Sequence, residues 1–271
     1  MPEQTNENTQ AQPSSRTNFI PSPVFSPPYP PLPHKFNDNH ELQILCEAPK
    51  GAVRRALLPP LEQPDDRDIF ILQMGWTPDC EGFRVHEIQI NVPVKWKDRT
   101  GSTTLIEYID SDMGLIAGRE IWGWGKRMAD IEWHQTRTGW TMTCNKQKDQ
   151  DGIPLMKVEY TISESAPDLA WPAMFPVFLV KRIPNASLSV SPLLQLVCLG
   201  GNITPGVVPP LSPDAVRTET KGTATVEFFD GPHDFLTFFG PVRVLGAKMA
   251  ITKGPMLGGL GLGEVLDQWE E

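Results

Sequence analysis

The chain has 271 residues, long enough to bury a sizeable core as one domain or two. With 24 Lys and Arg against 33 Asp and Glu, its formal charge of -9 argues against a general binder of nucleic acid or of an acidic membrane surface, since phosphate contacts need a cationic patch. The four cysteines, Cys46, Cys80, Cys144 and Cys198, are far apart with no CxxC spacing, which suits reduced, buried thiols in a cytoplasmic protein better than a zinc site or a disulfide framework.

No basic segment followed by an apolar one opens the chain, so no secretory signal is expected. No apolar run reaches about 18 residues, so no membrane span is expected either. Residues 1 to 30 are rich in Pro, Ser, Asn, Gln and Thr, and bury too little apolar surface to offset the entropy of ordering; they read as a disordered tail. The run Pro27-Pro28-Tyr29-Pro30-Pro31 also suits a polyproline ligand, on composition alone. Glu41 to Cys46 alternates as a strand does, and Pro49 to Leu58 reads as a short helix ended by Pro59-Pro60. Asp65-Asp66-Arg67-Asp68 reads as a solvated loop before the buried run Ile69 to Leu72. His86 to Val94 alternates strictly, Thr104 to Ile109 is a further strand, and Ser111 is placed to cap a short apolar segment from Met113 to Ala117.

Beyond it, strands are expected at Asp130 to His134, Gly139 to Cys144, Leu155 to Ile162, Met174 to Arg182, Leu188 to Leu199, Thr223 to Phe229 and Val242 to Ile251. Asp151-Gly152 suits a tight turn, and Glu264 to Trp269 a closing helix. Many strands at short intervals with few helical stretches make this an α+β chain of mainly antiparallel β structure, a sheet or barrel with peripheral helices.

The candidate chemistry lies between Gly118 and Ala129, where Lys126 and Arg127 adjoin Trp122, Trp124 and glycines. A lysine against aromatic surface and beside a second cation has its ammonium form disfavoured by desolvation and like charge, and so becomes an amine nucleophile. The plainer reading is a strand whose tryptophans are core and whose Lys126 and Arg127 are solvated. Adjacent strand residues point to opposite faces, so the two cations share a pocket only if the glycines bend the chain. Gly258-Gly259-Leu260-Gly261-Leu262-Gly263 matches no phosphate-loop pattern and reads as a flexible loop. The five histidines never fall at metal-ligand spacing and no GxSxG elbow occurs, which leaves metal and serine hydrolases unsupported.

Tyr108-Ile109-Asp110, Gly118-Arg119-Glu120 and Gly125-Lys126-Arg127, in this order and spacing, resemble the signature of the acetoacetate decarboxylase family. The resemblance extends back to Pro33-His34-Lys35-Phe36 and Leu57-Leu58-Pro59-Pro60, and forward through Phe178 to Asn185 and Val226 to Asp230. It implies a single domain over residues 31–271 and a homo-oligomer. It also implies that Lys126 is a Schiff-base lysine acting on a ketone or β-keto acid without cofactor or metal, with Arg127 as the second cation. Glu87 falls where the family has a pocket glutamate, and a proton-handling role is expected for it. Phe36, Asn39, Phe70, Trp122 and Trp124 are the expected substrate-binding positions. Asn39 stands where the family's substrate-contacting arginine is expected, and neither Phe70 nor Gln73, the candidates for a second family glutamate, is acidic. Acetoacetate is therefore a poor expectation, and a larger β-keto acid or polyketide-like ketone of secondary metabolism a better one. Two alternatives stay open: the same imine used for aldol, dehydration or cyclisation chemistry, and a barrel that binds a small hydrophobic ligand without covalent chemistry.

Overall fold

The structure, a computed structural model, describes residues 22–23, 25–30, 36–80, 82–146, 152–200, 214–256 and 263–270. Four long strands, β1 (Phe36–Glu47), β2 (Ile69–Cys80), β3 (Phe83–Trp96) and β4 (Arg99–Ile109), form an antiparallel meander at its centre. Beyond β1 the sheet continues through β14 (Arg243–Met256), β11 (Val216–Phe228), β8 (Pro154–Ile162), β7 (Gly139–Asn145) and β6 (Asp130–Gln135). On the other side β4 is followed by β9 (Val177–Ile183), β10 (Leu193–Leu199) and β15 (Glu264–Trp269), and a short β5 (Lys126–Met128) also pairs with β4. The fold is α+β and mainly antiparallel. Its sheet is open rather than a closed barrel, with β15 and β6 at the two ends of the strand order.

Period-two patterning sorts the central strands by face. Leu42, Ile44, Phe70, Leu72, Met74, Ile88 and Ile90 point to one side and are almost wholly buried in the larger apolar cluster. The alternate positions carry Glu41, Gln43, Gln73, Gly75, Glu87 and Gln89, so the other face is polar in the middle of the sheet. A second cluster, including Val85, Ile109, Met113, Ala117, Trp122 and Leu179, closes one end of that polar face. Tyr29, grouped with the tail on composition, is buried in this cluster and its hydroxyl donates to Glu120 at 3.1 Å. The rest of the expected tail before residue 22 and most of the glycine-rich loop lie outside the described residues.

Two local expectations are corrected. Glu264–Trp269 is a strand, because it pairs with β10 through a bulge that leaves Leu266 without a partner opposite Leu196 and Val197. A bulge resets the alternation, so Leu266 and Trp269, three apart as on a helix, both pack against the core. The acidic run before β2 is not all solvated either. Asp68 is buried and accepts from the backbone N–H of Gly51 (2.7 Å) and Val53 (3.0 Å), satisfying the start of helix α1 (Ala52–Ala56). An Asp68→Ala variant should lose about 1–2 kcal/mol, read as a lower urea midpoint at unchanged slope.

Candidate functional site

After β4 the chain enters helix α2 (Asp112–Ala117), whose cap Ser111 accepts from the Gly114 N–H at 3.3 Å, and then a π-helical turn (Gly118–Trp122). This crossover returns the chain so that β5 runs parallel to β4, with Glu107 beside Lys126 and Tyr108 beside Arg127. Register partners share a face. Lys126 and Glu107 therefore lie on the polar side of the sheet, and Arg127 and Tyr108 on the other.

Lys126 Nζ stands 2.7 Å from Glu107 Oε1 and 3.8 Å from Glu87 Oε2, and 5.7 Å from the centre of the Trp124 ring. The Glu107 side chain is wholly buried, Lys126 is 10% exposed and Glu87 32% exposed. Gly118 makes room for the lysine: a Cβ there would collide with its Cε and Cδ. Burial disfavours the ammonium, but the charges of Glu107 and Glu87 outweigh it, and Lys126 is held above the ordinary lysine range. This reverses the lowered pKa expected from a neighbouring cation. Glu107 is driven up to about 8, first by burial and then by the charge and hydrogen bond of Glu87, against the pull of Lys126. Neither Glu107 oxygen makes a hydrogen bond of regular geometry among the described residues.

From Lys126 and Glu107 the register continues through Gln89, Gln73 and Gln43, a line of polar side chains across five neighbouring strands. The adjacent row reads Glu41, Gly75, Glu87. Gly75 leaves a gap there, since its Cβ would press on Glu87 Cγ at 3.2 Å. Asn91 donates to the side-chain oxygens of Gln73 (3.4 Å) and Gln89 (3.1 Å), and accepts from Thr104 at 2.6 Å, which in turn accepts from the Trp124 indole N–H at 3.1 Å. With their oxygens occupied, Gln73 and Gln89 turn their NH₂ groups to this face, where they have no acceptor among the described residues.

Arg127 does not join Lys126. Its guanidinium donates to the His233 carbonyl (2.6 Å) and pairs with Asp234 at 2.8 Å on the opposite face, because consecutive residues of β5 alternate. Asp234, wholly buried, also receives the Tyr108 hydroxyl (2.7 Å) and Lys146 Nζ (3.0 Å). Burial alone would raise this carboxyl; the hydrogen bonds from Tyr108 and Lys146 and the charges of Arg127 and Lys146 hold it below the usual range.

Of the expected substrate-binding positions, Trp124 lies beside Lys126, and Trp122 packs in the second cluster at 5.6 Å from the Trp124 ring. Phe36 packs at the margin of the same cluster. Asn39 accepts from the Thr77 hydroxyl at 3.1 Å. Phe70 is corrected: it is wholly buried in the apolar core on the other face, against Phe228 and Phe239, as its even position in β2 dictates. Sequence reasoning missed Glu107 and the glutamine line. The available signal was one carboxylate, at the polar-facing position of Thr104 to Ile109, immediately before the Tyr-x-Asp.

Comparison with known proteins adds three findings. A family model described as acetoacetate decarboxylase matches residues 21–266. An acetoacetate decarboxylase of Chromobacterium violaceum is 30% identical over 168 residues, 60% of this chain and 65% of that protein. Matches to relatives from Mesorhizobium japonicum and Ralstonia nicotianae span only 42% and 43% of their lengths. Among solved structures, an acetoacetate decarboxylase from Legionella pneumophila superposes with a TM-score of 0.73 at 20% identity, covering 93% of this chain and 94% of that one. The enduracididine biosynthesis enzyme MppR, complexed with the condensation product of pyruvate and imidazole 4-carboxaldehyde, superposes with a TM-score of 0.68 at 16% identity over 96% and 98%. At these identities the structural likeness is one of fold.

Three outcomes are expected from these contacts. Gly118→Ala should leave the fold intact and displace Lys126 Nζ from Glu107, read as a several-fold changed rate of Lys126 acylation by acetic anhydride beside an unchanged Tm. Asp234→Ala strands Arg127 and Lys146 without their carboxylate and should cost about 3 kcal/mol in urea unfolding at pH 7. Since the folded state holds Asp234 below its unfolded pKa, its contribution is present above the ordinary carboxylate range and disappears on acidification. The gap between wild type and an Asp234→Asn variant should accordingly narrow as pH falls through about 4 toward 2.

Proposed function

The chain belongs to the acetoacetate decarboxylase family, and from that premise we propose that Lys126 forms a Schiff base with a ketone-bearing substrate and that the imine drives loss of carbon dioxide from a β-keto acid. The supporting observation is the position of Lys126 Nζ, nearly buried, threaded past Gly118 and facing two carboxyl groups on an otherwise polar face. Activation of a lysine by desolvation and a neighbouring cation is the general account for acetoacetate decarboxylase itself. In this chain the neighbouring charges are carboxylates.

The amine attacks the ketone carbon, and loss of water leaves a protonated imine. The carbon–carbon bond to the carboxylate then breaks; its electron pair moves toward the iminium nitrogen, carbon dioxide departs and an enamine remains. A proton returns to the enamine carbon, and hydrolysis releases the ketone and the lysine. The free NH₂ donors of Gln73 and Gln89 suit the oxygens of the substrate chain, a neutral replacement for the arginine that Asn39 does not supply. Trp124 supplies an apolar wall, which fits a substrate larger than acetoacetate.

A second reading, aldol or dehydration chemistry on the same imine, is favoured by the carboxyl groups that flank Nζ, which can move protons at carbon without loss of carbon dioxide. It also agrees with the pyruvate-derived condensation product bound to MppR, a protein of like fold. Both readings are tested by incubating the chain with acetoacetate, benzoylacetate and acetone, adding borohydride, and locating the reduced adduct by mass spectrometry. An adduct on Lys126, absent from Lys126→Ala, with carbon dioxide released from the β-keto acids is expected. An adduct without carbon dioxide favours the second reading, and no adduct on Lys126 with any of the three rejects the Schiff base.

A further inference from the structure

We propose that Glu107 is a catalytic acid–base group: it takes the proton from the Lys126 ammonium, leaving the neutral amine to attack, and returns that proton to expel water from the carbinolamine. The inference rests on the Schiff-base reading of Lys126. It goes beyond that reading in naming where the proton is kept and what activates the amine.

The geometry singles out Glu107 over Glu87. Glu107 Oε1 is 2.7 Å from Nζ, within direct proton-transfer distance, whereas Glu87 Oε2 is 3.8 Å away. Glu87 is about a third exposed, so a proton placed there exchanges with water; Glu107 is wholly buried, and a proton placed there is kept beside the reacting atoms. Register fixes the contact, because Glu107 and Lys126 are paired positions on neighbouring strands rather than two side chains meeting by rotamer. The carboxyl is also poorly compensated. Among the described residues it makes no hydrogen bond of regular geometry, and burial favours its neutral acid form, so the ion pair remains the resting state while the acid formed by proton transfer costs less here than it would at an exposed carboxylate.

The steps balance. Ammonium and carboxylate become amine and carboxylic acid. The amine adds to the ketone carbon, and the nitrogen proton passes to the former carbonyl oxygen, giving the carbinolamine. Glu107 then protonates that hydroxyl, water leaves, and the product is an iminium beside the Glu107 carboxylate. The net change is one ketone and one ammonium converted to one iminium and one water, with Glu107 restored. The iminium inherits the ion pair that the ammonium had. No second cation is needed, which removes the difficulty that Arg127 faces the other side of the sheet.

Two measurements on the same variants test the step. Acetone isolates imine formation, since it has no carboxylate to lose, and borohydride trapping on Lys126 gives its rate. Acetic anhydride at pH 7 reports only how much free amine Lys126 carries. In Glu107→Gln, removing the carboxylate removes the main cause that holds Lys126 up, so acylation should become several-fold faster while trapping with acetone falls by about 10²-fold. Glu107→Asp should retain part of the trapping rate. Formate should restore part of it to Glu107→Ala, where chloride at equal ionic strength should not. Trapping at the wild-type rate in Glu107→Gln overturns the proposal and leaves the Schiff base standing. Acylation and trapping falling together mean that Glu107 only positions the lysine, which also overturns it. No adduct on Lys126 of the wild-type chain removes the Schiff base, and this step with it.

Discussion

The parallel pairing of β5 with β4 is the constraint on which the proposed chemistry depends. Parallel neighbours require a crossover, supplied here by α2 and the π-helical turn, and that crossover stacks Trp122 and the second apolar cluster over one end of the polar face. Register then distributes four polar side chains between two faces without further choice. Lys126 meets Glu107 on one, and Arg127 meets Tyr108 and Asp234 on the other. A slip of one residue would exchange them, placing the arginine on the polar face and the lysine against Asp234.

The two buried carboxylates so created are treated differently. Asp234 receives a hydroxyl, an ammonium and a guanidinium, enough donors to keep it ionised and fixed. Glu107 has one cation and a second carboxyl for company. The first arrangement ties β4, β5 and the Asp230–Phe235 hairpin together and behaves as structure. The second keeps its proton on Lys126 at rest but offers a buried carboxyl whose acid form is unusually accessible, a condition suited to acid–base work.

The sequence was most legible where a residue's role follows from its own chain. Alternation gave β1 and β3, Ser111 gave the start of α2, and Gly-Arg-Glu marked the turn before the lysine. The structure supplies physical reasons for that motif: Gly118 clears the path of Lys126, Arg119 donates to the Lys126 carbonyl at 3.3 Å, and Glu120 accepts from Tyr29. What was not legible depends on register between distant strands. Nothing in Thr104 to Ile109 shows that Glu107 will lie beside a residue nineteen positions on, nor that Gln43, Gln73 and Gln89 will line up with it. Phe70 was misplaced for the same reason, because its face is set by parity within β2 and not by nearness to a motif. Glu264–Trp269 misled because a bulge imitates helical spacing.

The pairing also changes how lysine activation should be understood in this chain. A neighbouring cation makes an amine available by raising the energy of its ammonium, and that needs both charges in one cavity. Here β-strand alternation forbids it, since positions 126 and 127 cannot share a face in a straight strand, and Gly125 leaves β5 regular enough for both register pairs to form. A carboxyl in contact with the ammonium acts oppositely at equilibrium, stabilising the charged lysine, and lowers the fraction of free amine in solution terms. In the proposed imine chemistry its advantage is kinetic: the proton has a destination 2.7 Å away, and the acid formed is where dehydration of the carbinolamine would next require one. On that proposal, equilibrium pKa and reactivity toward a ketone part company at Lys126, and the fold, through register, is what separates them.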